Sequence, residues 1–131
     1  MNIPKDLYYS KEHEWIRVEG DVAYMGITDY AQDHLGDIVF VELPELEQEF
    51  AAMEEIGVIE SVKAVSPMYS PVGGSVSVVN EALEAEPELI NQDCYENYIC
   101  AVKMTDLGDL GGLMQADAYT AFCEAEEQGG K

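Results

Sequence analysis

The sequence predicts a mainly β fold, a β-sandwich or half-barrel, with a capping helix at the C-terminus. Short runs of apolar and β-branched residues recur along the 131-residue chain, and glycine, proline and aspartate residues separate them. This pattern is typical of short strands joined by turns. The chain has no long βαβ pattern, no GxGxxG motif and no P-loop, so the sequence gives no support for a nucleotide-binding α/β fold.

Strand candidates occur along most of the chain, and turn-forming residues follow several of them. Gly20 and Asp21 separate two candidates, and Pro44 ends another. The predicted strands are residues 7–9, 14–18, 22–27, 37–43, 54–62, 75–79 and 98–104. Between them we predict a polar loop over 45–49, a turn-rich connection over 66–74 and a helical turn over 80–83.

Two segments have helical signals. Residues 29–35 are predicted as a short helix, because Asp29 and Gln32 form a capping pattern and Gly36 favours a C-terminal stop. A second, amphipathic helix is predicted near the C-terminus from an apolar stripe at helical spacing. That stripe consists of Leu113, Ala116, Tyr119, Phe122 and Cys123. We expect it to pack on the core.

The length suits one domain, which we expect to span residues 1–125 and to be followed by a flexible polar tail over 126–131. The N-terminus lacks the apolar core of a signal peptide and the Arg-rich pattern of a transit peptide. A bacterial cytoplasmic chain fits this composition. A mature form in the mitochondrial matrix, with its presequence removed, fits it equally.

The formal net charge is −21, from 6 basic and 27 acidic residues, and the isoelectric point is about 4.1. Nucleic acids and anionic membranes would be repelled by such a surface, so neither is expected as a partner. Proteins with basic docking faces are favoured by the same field. Acidity that only maintains solubility is the alternative.

The cysteines and histidines do not form a recognisable metal-binding or disulfide pattern. Cys94, Cys100 and Cys123 are an odd set without CxxC spacing, so we expect no metal site and no disulfide framework. Small buried or half-buried hydrophobic residues in a reducing compartment are the expected role of these cysteines.

Lys63 stands out because it is isolated from other basic residues. It is the only lysine or arginine between Arg17 and Lys103, an interval that contains 18 acidic residues. Three interpretations compete: a surface lysine on a strand, a catalytic amine that forms a Schiff base, and an attachment point for a covalent cofactor. A catalytic amine needs a lowered pKa, which the nearby carboxylate of Glu60 opposes.

A cofactor-bearing lysine needs an exposed turn between rigid strands, with small neighbours that leave its stem free. Val58, Val62 and Val65 can provide the rigidity, and Ala64 is small. Methionines usually flank a biotinylated lysine, and their absence here argues against biotin. The residues alone therefore favour a covalent carrier over a catalytic site.

The segment Glu-Ser-Val-Lys-Ala, residues 60–64, resembles the lipoylation motif of the glycine cleavage system H protein family. The resemblance extends in order and spacing from about residue 8 to residue 124. Further similar segments are residues 13–15, 26–32, 35–44, 70–72, 79–80 and 87–91. One short motif would be weak evidence for the resemblance, whereas this set of segments in the same order is specific evidence for it.

The resemblance implies a lipoyl/biotinyl-carrier-like β-sandwich, a half-barrel sandwich hybrid, with lipoate in amide linkage on Lys63. H proteins are carriers and not enzymes. Glycine decarboxylase transfers the aminomethyl group of glycine to the lipoyl arm, and a tetrahydrofolate-dependent aminomethyltransferase removes it. Dihydrolipoamide dehydrogenase then reoxidises the dithiol. A lipoate ligase or an octanoyl/lipoyl transferase would modify Lys63, and a monomer is expected.

In the resembled family, the loaded arm folds into a surface cleft that protects the aminomethyl group from water. The residues that match Glu14 and His34 lie near that arm. The resemblance therefore implies that Glu14 pairs with the aminomethyl ammonium and that His34 forms a hydrogen bond with the arm. The alternatives are a solvated strand residue for Glu14 and a helix C-terminal residue favoured by the dipole for His34.

Some positions depart from the family pattern. Cys94 precedes Tyr95 where proline is frequent, Tyr98 replaces a frequent tryptophan, and residues 51–54 lack a frequent glycine. These changes put the geometry of the loops in question. At Cys94 an exposed thiol is the alternative to the buried role expected of the cysteines. The rival functions are a lipoyl relay to 2-oxoacid dehydrogenases or another lipoate-dependent pathway, and an acidic interaction module without a cofactor.

Overall fold

The computed structural model describes residues 1–129. Its strands are β1 (Tyr8–Tyr9), β2 (Glu14–Glu19), β3 (Val22–Ile27), β4 (Ile38–Glu42), β5 (Glu49–Phe50), β6 (Glu55–Ser61), β7 (Val65–Tyr69), β8 (Gly74–Val79) and β9 (Cys100–Met104). Its helices are α1 (Asp29–Leu35), α2 (Ala82–Ala85), α3 (Leu89–Gln92) and α4 (Ala116–Gly129), with a 3₁₀ helix at Leu107–Gly112.

The strands form two antiparallel sheets that pack face to face. The larger sheet has the order β1-β2-β3-β9-β8-β5, and the smaller sheet has the order β4-β6-β7. Apolar residues from both sheets, including Ile16, Met25, Val41, Ile59 and Val102, form one continuous buried cluster between them. The predicted mainly β sandwich with a short helix and a C-terminal helix is confirmed.

Trp15 fixes the position of β2 within the larger sheet. Its side chain is fully buried, lies opposite Gly26 in the β2–β3 ladder, and donates a hydrogen bond from Nε1 to the Cys94 carbonyl at 3.1 Å. The indole occupies the space above Gly26, since a Cβ atom there would lie 2.8 Å from the ring. This packing holds the neighbouring residue, Glu14, in register.

Helix α4 covers the outer edge of the larger sheet. Tyr119 stacks on Tyr9 with ring centroids 4.5 Å apart. Its hydroxyl is 2.6 Å from the Thr28 hydroxyl and 2.7 Å from His13 Nδ1. The stacking and these hydrogen bonds tie the C-terminal helix to the segment that leads into α1.

The ends of the two main helices differ from the sequence prediction. The N-cap of α1 is Thr28, not Asp29, because the Thr28 hydroxyl accepts the Ala31 N–H at 3.2 Å. Helix α4 begins at Ala116, because Met114 is held in a bridge with Tyr9. The helix continues past residue 125 to Gly129, so residues 126–129 of the predicted tail are helical. Residues 130–131 lie outside the described residues.

Other differences lie in connections. Strand β7 occupies the first four residues of the predicted turn-rich segment. It contains Pro67, which an edge strand tolerates because its outer N–H groups need no partner. Strand β5, helix α3 and the 3₁₀ helix were not predicted. Cys94, Cys100 and Cys123 are all buried, so the buried role expected of the cysteines is confirmed and the exposed thiol at Cys94 is wrong. No helix in residues 1–129 is long and apolar enough to span a bilayer.

Replacement of Gly26 by alanine tests the packing of Trp15. The added methyl group would meet the indole at 2.8 Å, and neither the ring nor the ladder can move freely. We expect a loss of roughly 1–3 kcal/mol in unfolding free energy, measured by denaturant titration. Gly111→Ala is the control, because no atom lies within 4 Å of its Cβ position. Equal stability of the two variants would contradict the packing role of Gly26.

Candidate functional site

Lys63 lies at the tip of the hairpin that joins β6 to β7, and its side chain is exposed. The buried Ser61 shapes this turn. Its hydroxyl accepts the N–H groups of Lys63 at 3.3 Å and Ala64 at 3.1 Å, and its own N–H donates to the Ala64 carbonyl at 2.8 Å. The lysine is therefore presented on a fixed backbone and not on a loose loop.

The hairpin is attached to the segment between α1 and β4. The Val62 N–H donates to the Asp37 carbonyl at 3.0 Å. The stem of Lys63 passes close to Gly36, where a Cβ atom would lie 3.6 Å from the lysine Cε. Gly36 has a φ of +80°, which favours glycine. The side chain of Lys63 therefore leaves the hairpin beside the C-terminal end of α1.

Asn91 of α3 holds that same segment in place. Its side-chain amide donates to the Gly36 carbonyl at 2.8 Å and to Gln32 Oε1 at 3.1 Å, while its Oδ1 accepts the Ile38 N–H at 2.9 Å. These bonds connect the end of α1 to the start of β4. Asn91 therefore positions the backbone against which the lysine hairpin rests.

A cleft of about 260 Å³ lies between α1 and the β6–β7 hairpin. Its walls combine apolar side chains from both sides with a few polar groups. Glu14 and His34 both line it, whereas Lys63 lies outside the lining and beside the end of α1. The wall residues from the hairpin are Ile59, Ser66, Pro67 and Met68.

Glu14 is a buried carboxylate, with 1% of its surface exposed. One oxygen accepts the Ser10 hydroxyl at 2.7 Å, and the other accepts the Tyr69 N–H at 3.0 Å. Within residues 1–129 no basic side chain forms an ion pair with it. Burial raises the pKa of Glu14 to about 7, although the two hydrogen bonds act in the opposite direction.

His34 lies in the last turn of α1, with about half of its side chain exposed. Its Nδ1 donates to the Tyr30 carbonyl at 2.8 Å, and its Nε2 is 3.4 Å from Glu127 Oε1. The ring stacks on Tyr30, with centroids 4.0 Å apart, and Tyr30 stacks in turn on His13. His34 is thus a fixed polar group at the cleft wall.

The structure brings Glu14 and His34 to one cleft beside the lysine hairpin. It also shows groups that the sequence reasoning did not assign: Ser10 and the Tyr69 N–H hold Glu14, and Asn91 holds the α1–β4 segment. Asn91 lies within a segment that resembles the family, which could have indicated its importance. Nothing in the sequence indicates that Tyr69 meets Glu14, since they are 55 residues apart.

Fold and cleft together define the class of protein: a lipoyl-carrier-like β-sandwich that presents an exposed lysine on a hairpin. A profile of the family described as "Glycine cleavage H-protein" matches residues 7–126. The chain belongs to this family.

Similar proteins match this chain over nearly its full length, in sequence and in structure. The glycine cleavage system H protein of Syntrophomonas wolfei is 60% identical over 131 residues, which is all of both chains. That of Halothermothrix orenii is 52% identical and covers 97% of this chain and 100% of its own. The crystal structure of a glycine cleavage system H protein from Mycobacterium marinum superposes with a TM-score of 0.83 at 35% identity, over 98% of this chain and 100% of that one.

The raised pKa of Glu14 gives a testable pH dependence of stability. Because the folded state binds this proton more tightly than the unfolded chain, its contribution to stability is complete below about pH 4.5 and is lost as the pH rises to about 7. Glu14→Gln removes the titration. We therefore expect the variant to gain on the order of 3 kcal/mol relative to the parent protein across this window.

The measurement is denaturant unfolding of both proteins between pH 4 and pH 8. Glu124→Gln, an exposed position on α4, serves as the control for a carboxyl-to-amide change outside the cleft. The stability difference for Glu14→Gln should depend more strongly on pH than the difference for this control. Equal pH dependence of the two differences would contradict the raised pKa of Glu14.

Proposed function

We propose that this chain carries lipoate in amide linkage on Lys63 and transfers one-carbon units within the glycine cleavage system. The observation that supports this most strongly is an exposed lysine on a rigid hairpin, beside a cleft that holds a buried carboxylate, in a member of the H-protein family. Because the curated relatives are bacterial, we expect the carrier to work in the bacterial cytoplasm.

In this proposal the lipoyl arm visits three enzymes. Glycine decarboxylase transfers the aminomethyl group of glycine to the arm, and the aminomethyltransferase passes the one-carbon unit to tetrahydrofolate and releases ammonia. Dihydrolipoamide dehydrogenase reoxidises the remaining dithiol. The chain itself contributes no catalytic residue. Its residues display the arm, position it and exclude water from its labile end.

Glu14 is proposed to bind the ammonium of the loaded arm. An incoming cation favours the ionised carboxylate, and a charge-assisted hydrogen bond in a buried site is stronger than one in water. The Ser10 and Tyr69 bonds hold the carboxylate in place before the arm arrives. His34, whose Nδ1 donates to the Tyr30 carbonyl, can offer Nε2 to the arm in place of its 3.4 Å contact with Glu127.

The Ser61 turn supports the attachment role of Lys63. Three hydrogen bonds fix the backbone on both sides of the lysine while its side chain remains exposed. A modifying enzyme therefore meets one preformed shape, and little conformational entropy is lost on binding. A lipoate ligase or an octanoyl/lipoyl transferase is the enzyme class that this attachment requires.

Intact-mass spectrometry of protein expressed with lipoate supplied tests the attachment. We expect one lipoyl adduct, located on Lys63, and its complete loss in Lys63→Arg. Lys103→Arg, which changes another exposed lysine, is the control and should keep the adduct. The modified protein should support glycine-dependent exchange of carbon dioxide by glycine decarboxylase, and the Lys63→Arg protein should not. An unmodified Lys63 under conditions that lipoylate another carrier would refute the proposal.

A further inference from the structure

The C-terminal end of α4 contacts two histidines that line the cleft of Glu14. His13 Nε2 is 2.8 Å from Glu126 Oε1. His34 Nε2 is 3.4 Å from Glu127 Oε1. Both histidines line the cleft, whereas neither glutamate does. The end of α4 is therefore connected to the cleft in which the loaded arm is proposed to bind.

The two contacts are unequal. His13 is mostly buried, with 15% of its side chain exposed, and its Nδ1 is 2.7 Å from the Tyr119 hydroxyl. His34 and Glu127 have 49% and 57% of their side chains exposed, and their contact is longer. Because solvent weakens an exposed pair, the contact of Glu126 with His13 is the fixed one. The contact of Glu127 with His34 is the one that a competing group can replace.

The contact between His34 and Glu127 depends on a proton. His34 Nδ1 donates to the Tyr30 carbonyl at 2.8 Å, so in the neutral ring Nε2 carries no proton. Two acceptors, Nε2 and the carboxylate of Glu127, would then face each other without a hydrogen bond. The contact therefore requires the positively charged form of the His34 ring.

The titratable groups around His34 come from several elements, and most of them are carboxylates. They are Met1 at the N-terminus, Glu12 and His13 of the loop before β2, Glu14 of β2, Asp29, Tyr30 and Asp33 of α1, Lys63 of the β6–β7 hairpin and Glu127 of α4. In the lipoylated protein Lys63 is a neutral amide. Among the groups that line the cleft, His13 and His34 are then the ones that can carry a positive charge.

A loaded arm would bring a second cation into this cleft, because its aminomethyl group is an ammonium. Two cations close together disfavour each other, so a docked ammonium favours the neutral form of His34. In that form Nε2 is a hydrogen-bond acceptor, which suits an N–H or S–H donor of the arm. The neutral ring no longer attracts Glu127.

The end of α4 depends on positive charge from outside the helix. Its last two turns contain Glu124, Glu126 and Glu127, and its last turn has no basic residue. The dipole of a helix disfavours negative charge at the C-terminal end. Loss of the contact between His34 and Glu127 therefore loosens the last turn of α4.

We propose that Glu127 is a positioning residue that competes with the loaded arm for His34. In the unloaded carrier Glu127 holds the charged ring. In the loaded carrier the ring gives up its proton, accepts a hydrogen bond from the arm and releases the last turn of α4. Because such coupling is reciprocal, the hold of Glu127 on His34 also weakens docking of the arm. This inference rests on the proposed carrier function.

The test measures how long the aminomethyl group survives on the lipoylated full-length protein. Glycine and glycine decarboxylase load the arm, and the enzyme is then removed. Hydrolysis consumes one water, breaks the S–CH₂ and C–N bonds and yields the free thiol, formaldehyde and ammonium, so intact mass follows the loss. Glu127→Ala removes the competitor. We expect hydrolysis in this variant to be roughly two- to fivefold slower than in the parent protein.

Hydrogen exchange of the α4 backbone provides a second readout. In the parent protein the amides of residues 125–128 should exchange faster after the arm is loaded. In Glu127→Ala loading should leave their exchange unchanged, because the contact that loading breaks is already absent.

Two controls separate competition from general effects. Glu124→Ala makes the same change at an exposed residue of the same helix and should keep the parent rate of hydrolysis. His34→Ala removes the group for which Glu127 and the arm compete, so Glu127→Ala should have no further effect in that background. Thermal unfolding and intact mass confirm that all variants are folded and lipoylated.

The outcomes are distinguishable. Faster hydrolysis in Glu127→Ala would show that Glu127 holds His34 in place for the arm, and an unchanged rate would show that it does not compete. Either result refutes the inference, although the carrier function stands. An equal effect of Glu124→Ala would assign the change to net charge and refute it as well. If the parent protein takes up no aminomethyl group, the carrier function fails and the inference fails with it.

Discussion

The structure depends on a carboxylate that is buried between two sheets. Glu14 belongs to β2 of the larger sheet, and one of its oxygens accepts the N–H of Tyr69 at the end of β7 in the smaller sheet. The same side chain is held by Ser10. Burial without a cation disfavours the ionised form of the carboxylate. A cation bound beside Glu14 would therefore stabilise that ionised form. Glu14 thus links β2 to the end of β7 and at the same time lines the cleft.

Placement of the lysine depends on a second set of hydrogen bonds, all close to the hairpin. Ser61 organises the turn from inside, and Asn91 holds the α1–β4 segment that accepts the Val62 N–H. Each bond alone contributes about 1 kcal/mol. Together they define where an arm on Lys63 begins, while the exposed side chain keeps its freedom. A rigid base with a mobile arm is what a carrier with several partners requires.

Local signals in the sequence were sufficient to predict much of the fold. Alternating residues identified β8, and the Gly20-Asp21 turn identified the β2–β3 hairpin. The prediction was wrong where tertiary contacts outweigh local preference: Pro67 lies in an edge strand, and Thr28 replaces Asp29 as the cap of α1. The isolation of Lys63 marked the candidate attachment point. The raised pKa of Glu14 could not be predicted, because it results from burial in the folded chain.

A titration of the Glu14 carboxyl carbon by NMR tests the central claim most directly. It would follow the ¹³C shift with pH in the lipoylated protein, before and after the arm is loaded with the aminomethyl group. We expect a midpoint near pH 7 in the unloaded protein and a lower midpoint in the loaded protein, because the ammonium stabilises the carboxylate. The same midpoint in both states would contradict the claim that this buried carboxylate receives the loaded arm.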